Sequence, residues 1–377
     1  MASYKGGLPY SADVAFYGDS APNFSPNTVR VMQAEFAHDV AVMEFWGADV
    51  TAGAFVSGTP MILTFGRPTT RRTFVGYVNH PARTNNALTS TSLTQRNAAI
   101  VYCVGASWYM KQSGTQSWHT QTGSQIVQSV ATGFGLAADI VPDTTVWATV
   151  QMAGMTYWQL CVMLAKRIGY TFYCNGVQLV FKPRQTNPNS LTGPVALYDY
   201  RADPANFPIF TPVLGKTSPS GGELAIRQQG GIDPRTGNVV FSQVSGSPAP
   251  SLLGGAAESP VFTRVQHEVV STQQEAVNKT EGAGLENQMY LAATAKASGN
   301  PLVAQGSLIF VQNANGSENG LWYVKQAEHL MNTSTYAMDL SLGRDSLGST
   351  NTIGGVPQNS SPVVPTLINN CWVAVAA

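Results

Sequence analysis

Three carboxylates, Glu35, Asp39 and Glu44, fall close together early in the chain, and a facing pair of carboxyl groups is what glycoside hydrolysis requires. They lie along strand-like sequence, where solvated strand carboxylates give the same pattern, so the spacing alone does not select catalysis. The five histidines, His38, His80, His119, His267 and His329, have no spacing that brings two onto one face of a helix or strand. Gly133-Phe134-Gly135-Leu136-Ala137-Ala138 spells the G-x-G-x-x-A of a dinucleotide turn, but it closes a helix instead of joining a strand to one. Arg71-Arg72 is a lone basic pair beside a turn, suited to a rim or interface ion pair. No G-x-S-x-G elbow, H-E-x-x-H pair or P-loop occurs. The expectation is a protein that is not an enzyme, with no catalytic, cofactor-binding or metal-ligating residues.

The bulk composition points to assembly. Charged residues are 11% of the 377-residue chain, against about 25% in an average soluble domain. Lys+Arg and Asp+Glu are both 21, so there is no electrostatic footprint for gripping nucleic acid. A weakly charged surface lacks the repulsion that keeps monomers apart, and burial against partners is its natural setting. The four cysteines, Cys103, Cys161, Cys174 and Cys371, show no C-x-x-C spacing and read as reduced core or interface residues. The start carries no apolar signal segment, and the longest apolar-leaning run, Asn97 to Met110, is too short to span a bilayer.

The elements that would position these residues fall into segments. From Asn27 to about Thr84 the period is two, with strands at Met61 to Phe65 and Phe74 to Val78 around a turn at Gly66 to Thr70. Thr122 to Gln125 and Thr156 to Gln159 are T-x-x-Q capping boxes, each opening a helix. In the second helix Trp158, Leu164 and Ile168 form an apolar stripe. It leads into Tyr170 to Phe181, where Asn175-Gly176 between alternating apolar runs predicts a hairpin, and Tyr170, Phe172 and Phe181 should receive the stripe. The spacing then predicts a helix from near Thr272, interrupted at Gly282-Ala283-Gly284 and continuing from Leu285 to Ala297. Strands return at Ser307 to Val311, Leu321 to Val324 and Tyr336 to Leu342.

Thr73-Phe74-Val75-Gly76-Tyr77-Val78-Asn79-His80 and Gly320-Leu321-Trp322-Tyr323-Val324, running on to His329, follow one grammar: an apolar strand, a polar turn, then an aromatic Tyr-Val strand heading to a histidine. The fold class expected is α+β, mainly β, with two similar antiparallel β-barrels, tube-like, flanking a small α/β module. Tyr77 and Tyr323 are expected to be structural core residues. The divisions are 1–105 for the first barrel, 106–184 for the α/β module, 185–265 for an extended Pro/Gly/Ser-rich segment with short strands, 266–345 for a helix and the second barrel, and 346–377 for a C-terminal tail ending in the apolar Cys371 to Val375.

This layout resembles the baseplate hub proteins of phage tails, the late control D family and the hub portion of type VI secretion spikes. The resemblance is densest at Ser117-Trp118 and Gln125-Ile126-Val127. It is strongest at Met155 to Leu160 leading to Leu164-Ala165-Lys166-Arg167-Ile168-Gly169-Tyr170, then Gly176 to Phe181. Gly299 to Leu302, Gln305-Gly306, Trp322-Tyr323-Val324 and Tyr336 to Arg344 extend it. Tyr157 stands where the family carries an acid, and nothing beyond Arg344 matches. The resemblance implies a homotrimeric ring with pseudo-sixfold symmetry at the distal end of the tail in the virion, made in the host cytoplasm. It implies partners in the tail tube or distal tail protein, the central spike and the tape-measure protein. DNA would pass through the channel without specific nucleic-acid binding, and no membrane span is implied. A tail-associated cell-wall hydrolase and a carbohydrate-binding β protein using Trp108, Tyr109 and Trp118 are the alternatives.

Overall fold

A computed structural model describes residues 10–17, 25–46, 54–85, 97–184, 196–201, 204–213, 225–232, 236–244, 262–266, 270, 273–287, 289–314, 318–345, 363–368 and 371–376. Six strands come first: β1 (Ser11–Phe16), β2 (Thr28–Ala34), β3 (Val40–Trp46), β4 (Pro60–Arg67), β5 (Thr70–Asn85) and β6 (Asn97–Gly105). Their alternation is physical. Val29, Val31, Ala41, Met43, Phe45, Leu63 and Val101 point into one core, while the residues between them face outward.

The middle of the chain follows local rules closely. A ribbon of β7 (Ser117–Thr122) and, later, β9 (Val146–Gln151) brackets α1 (Gly123–Gly133) and β8 (Ala137–Ile140). Then come α2 (Tyr157–Ile168), β10 (Tyr170–Asn175) and β11 (Gln178–Pro183), with β8, β10 and β11 in one small sheet. Both capping boxes close, Thr122 with Gln125 and Thr156 with Gln159, and Gly169 ends α2 at φ 72°. The β10–β11 turn sits one residue later than Asn175-Gly176 predicts. Asn175 pairs with Gln178, Gly176 takes φ 61°, and Val177 is buried. Burying Val177 fixes the register, and a glycine at the first central position satisfies the turn.

The remaining elements are β12 (Ala196–Asp199), β13 (Ile209–Val213), β14 (Ala225–Ile232), β15 (Val239–Val244), β16 (Phe262–Gln266), α3 (Gln273–Asn287), β17 (Leu291–Ser298), β18 (Leu308–Gln312), β19 (Gly320–Met331), β20 (Tyr336–Arg344), and a terminal hairpin of β21 (Val363–Ile368) and β22 (Cys371–Ala376). The sequence expectation of a helix through Ala297 is corrected here. Residues from Leu291 form β17, because Ala293, Ala295 and Ala297 are buried while Thr294 and Lys296 are exposed. That period of two, fulfilled by pairing with β20 and β13, overrides the helix preference of alanine. Nor is α3 broken at its glycines. A Cβ on Gly282 would stand 2.0 Å from the Arg167 carbonyl oxygen, so the glycine lets α3 lie against the end of α2.

The chain is mainly β, and its largest sheet runs β1-β4-β5-β6-β3-β2-β19-β20-β17-β13, with β18 beside β19 and β12 beside β18. Read by unit, the first six strands lie in the order β1-β4-β5-β6-β3-β2 and the later six in the order β12-β18-β19-β20-β17-β13. The two orders correspond strand for strand, except that β1 is antiparallel to β4 whereas β12 is parallel to β18. Registers correspond too. The row Met32, Val40, Val104, Tyr77 crosses the first unit as Val213, Ala292, Gly343, Tyr323 crosses the second. The units share one curled sheet, joined where β2 pairs with β19.

Candidate assembly surface

A β-bulge interrupts the long strand of each unit, at Asn79 in β5 and at Lys325 in β19. Each follows the Tyr-Val pair directly. The histidines are therefore not equivalent: His80 corresponds to Gln326, and His329 lies three residues further along. His80 is exposed and stacks on Tyr102 at 4.5 Å. His329 is buried, its Nδ1 3.0 Å from the Tyr336 hydroxyl, and burial with the nearby Arg72 charge pushes it down to about 3.

The bulges divide the outer face of the sheet. Before them, Tyr77 packs into the core of the middle module and Tyr323 into a small cluster with Met289, Leu308 and Phe310. Beyond them the face is open. One cross-strand row reads Ile209, Lys296, Asp339, Glu328, Met32. Lys296 reaches Asp339 at 3.6 Å, and Arg30 on β2 pairs with Glu328 on β19. With Glu44 on β3, the described strands of this face carry three carboxylates against two cations, so its charges nearly cancel.

Beneath the covered end lies a polar junction where the first unit, the middle module and the second unit meet. Glu35 accepts the hydroxyls of Thr171 and Tyr323 and lies 3.4 Å from Nε of Arg184. Lys325 donates to the Met289 carbonyl, and burial with the neighbouring Arg184 brings it down to about 8. Asp39 accepts from Gln33 at 2.7 Å and from Gln305 at 3.4 Å, and burial raises it to about 7. At 4% exposure it offers no substrate an approach. The three early carboxylates thus do not converge: two are tied into the junction and Glu44 stands on the open face.

The other expected residues have definite places. Trp158 lies between His38, at 4.0 Å, and Phe172, at 4.6 Å, and its Nε1 donates to the Phe36 carbonyl. Leu164, Ile168, Phe172 and Phe181 share that core, and Tyr170 is partly buried against Phe181. Arg71 pairs with Asp13 and Arg72 donates to Asn175. The G-x-G-x-x-A run leads from α1 into β8. Cys103, Cys161 and Cys174 are buried thiols, and no group of His, Cys, Asp and Glu among the described residues could hold a metal. His267 and most of the Arg184 to Pro260 stretch lie outside the described residues. No described helix is long and apolar enough to cross a membrane.

Neither a family profile nor a curated protein matches the sequence. Solved structures do match in fold. The 43 kDa tail protein of prophage MuSo2 from Shewanella oneidensis is 14% identical with a TM-score of 0.63, over 90% of this chain and 99% of that one. A tail protein from Neisseria meningitidis MC58 is 11% identical with a TM-score of 0.62, over 90% and 97%. An E. coli type VI secretion component described as similar to T4 tail proteins is 12% identical with a TM-score of 0.52, over 94% and 82%. The chain has the fold of these phage tail and type VI secretion proteins.

Proposed function

We propose that the protein is the structural baseplate hub of a phage or phage-like tail, a homotrimeric ring at the distal end that joins a hexameric tail tube to a trimeric spike. The observation carrying this reading is the repeated strand order of the two units. Three copies of a chain that contains the same unit twice present six like surfaces, and a tube-to-spike adaptor needs a threefold body with a sixfold face. In this reading the open faces line the channel and the middle module, packed on the covered end, lies outside it. Each unit acts as one tube-like domain, divided from its neighbours as the sequence suggests. The near-balance of charge suits a wall that passes DNA without holding it. The tube or distal tail protein, the spike and the tape-measure protein are the partners.

Light scattering of the purified chain, alone and with its tube and spike partners, tests the reading. A trimer in either setting supports it; a stable dimer, or a monomer even beside its partners, removes it. The hydrolase alternative would need a cleft with converging acids, which Glu35 and Asp39 do not form among the described residues.

A further inference from the structure

Inside one chain the units meet through a hydrogen-bonded seam: Gln33, Val31 and Val29 of β2 lie opposite Ala327, His329 and Met331 of β19. The Glu35 amide donates to the Lys325 carbonyl at 3.0 Å, which by alternation puts the next rungs at Ala327 and His329. Across this seam Arg30 also pairs with Glu328. The corresponding edges at the other ends of the units are β13, the counterpart of β2, and the half of β5 beyond its bulge, the counterpart of the paired half of β19. Among the described residues neither edge has a strand beside it.

Both edges carry a proline where the inner seam carries a rung. By register, Pro212 stands where Val31 stands and Pro81 where Ala327 stands. Proline has no amide to donate, and inside sheets it is confined to edges for that reason. The ion pair is missing as well, since Thr211 replaces Arg30 and Ala82 replaces Glu328 at the matching positions. The paired strands β2 and β19 contain no proline.

We propose that, in the ring described above, the β13 edge of one copy lies against His80–Asn85 of the next, placed as β2 is against β19 but without the continuous main-chain ladder. The seam inside a chain is then laddered, whereas the seam between copies lacks that continuous ladder. Such an edge cannot template runaway strand addition, and it makes ring closure weaker than the fold of each subunit, so closure waits for the neighbouring tube or spike. The proposal rests on the hub reading for its partner, a second copy of this chain, but its test reads which edges touch and not how many copies assemble.

Two full-length variants provide the test. With Thr84→Cys and Thr211→Cys in one chain, a short bifunctional maleimide should link copies covalently, while each single variant alone should give no such product. The second variant, Pro81→Ala with Pro212→Val, copies the inner seam and should tighten self-association about tenfold by sedimentation, the worth of one or two restored rungs. A ring seen by light scattering that yields no link between the introduced thiols would overturn this seam while leaving the hub reading intact. Unchanged self-association of the proline variant would overturn the blocking role. Linked products that stop at dimers would keep the seam and remove the hub.

Discussion

The amides of Val78 and Val324 donate over the same 2.9 Å to Thr59 and Ser307, each the residue just before its unit's hairpin begins. Both valines also accept in return, from Gly58 at 2.7 Å and Gly306 at 2.9 Å, and the two glycines take φ of 85° and 80°. One backbone device has been written twice, with the bulge directly behind it.

Those two glycines make a matched pair. A Cβ on Gly58 would meet open space, whereas one on Gly306 would stand 2.4 Å from the Tyr173 hydroxyl. Gly58→Ala should therefore lose only the left-handed strain, about 1–2 kcal/mol, and Gly306→Ala should lose more because Tyr173 must move. Urea unfolding of the two variants measures the difference; equal losses would mean that Tyr173 yields freely.

Trp158→Ala should destabilise the chain by about 3–5 kcal/mol, the range for emptying a buried tryptophan site. It removes the ring between His38 and Phe172 and the hydrogen bond to the Phe36 carbonyl, so the first unit and the middle module lose a shared contact. An unchanged melting temperature would contradict the packing.

How much of this was legible in the sequence depends on the range of the forces involved. Capping boxes at Thr122 and Thr156 use residues three apart, and the alternation of β2 and β3 reports its own burial. Both could be read directly. The Tyr-Val grammar at Tyr77 and Tyr323 correctly signalled a repeat. Its histidine endpoint misled, because the two bulges sit at matching positions and keep the units in register, so that His80, three residues after Tyr77, corresponds to Gln326 and not to His329, six residues after Tyr323. Leu291 to Ala297 looked helical since alanine favours helices, and only its partners β13 and β20 make it a strand. The junction of Glu35 with Tyr323 joins residues 288 apart, a tertiary fact without a local signature.

That junction should be sensitive to loss of one partner. The side chains of Glu35 and Arg184 are 5% and 8% exposed, and breaking a buried pair from one side typically costs about 3–5 kcal/mol. Glu35→Gln keeps the shape and removes the charge, so it should fall near the lower end, with Glu35→Ala losing more. A double-mutant cycle with Tyr323→Phe should show coupling between the two sites; strict additivity would contradict a shared network.

Acid should weaken the fold through its buried histidines. His38, held down to about 4 chiefly by burial and then by Lys111, and His329, at about 3, both stay neutral in the folded chain while the unfolded chain protonates them near 6.5. Between about pH 4 and 6 the unfolded state binds more protons at these sites, so stability falls as pH falls. Asp39 acts the other way. Its folded value of about 7 lies above the unfolded one of 3.8, so the folded state binds the extra proton and stability at this site falls as pH rises through the same window. The net linkage should be about one proton taken up on unfolding, and Asp39→Asn should raise it toward about two. Urea midpoints across that window measure it, and a slope unaltered by Asp39→Asn would contradict the assignment.

If the open face lines a channel for DNA, its charge should decide whether DNA is held. The described face carries Glu44, Glu328 and Asp339 against Arg30 and Lys296, so an assembled wild-type ring should retain no duplex at physiological salt. Reversing Glu44 and Asp339 to lysine leaves the Arg30–Glu328 pair in place and gives the wall a net positive charge in every copy. Each phosphate such a wall neutralises contributes about −0.9 to the slope of log affinity against log salt. The Glu44→Lys, Asp339→Lys ring should therefore bind duplex DNA with a steep, salt-suppressed affinity, and phage carrying it should deliver DNA poorly although their tails assemble. Filter binding over a salt series separates the outcomes. Equal, weak binding by both rings would place this face away from the channel, because a charge reversal on the lumen wall cannot go unnoticed by a polyanion threaded through it.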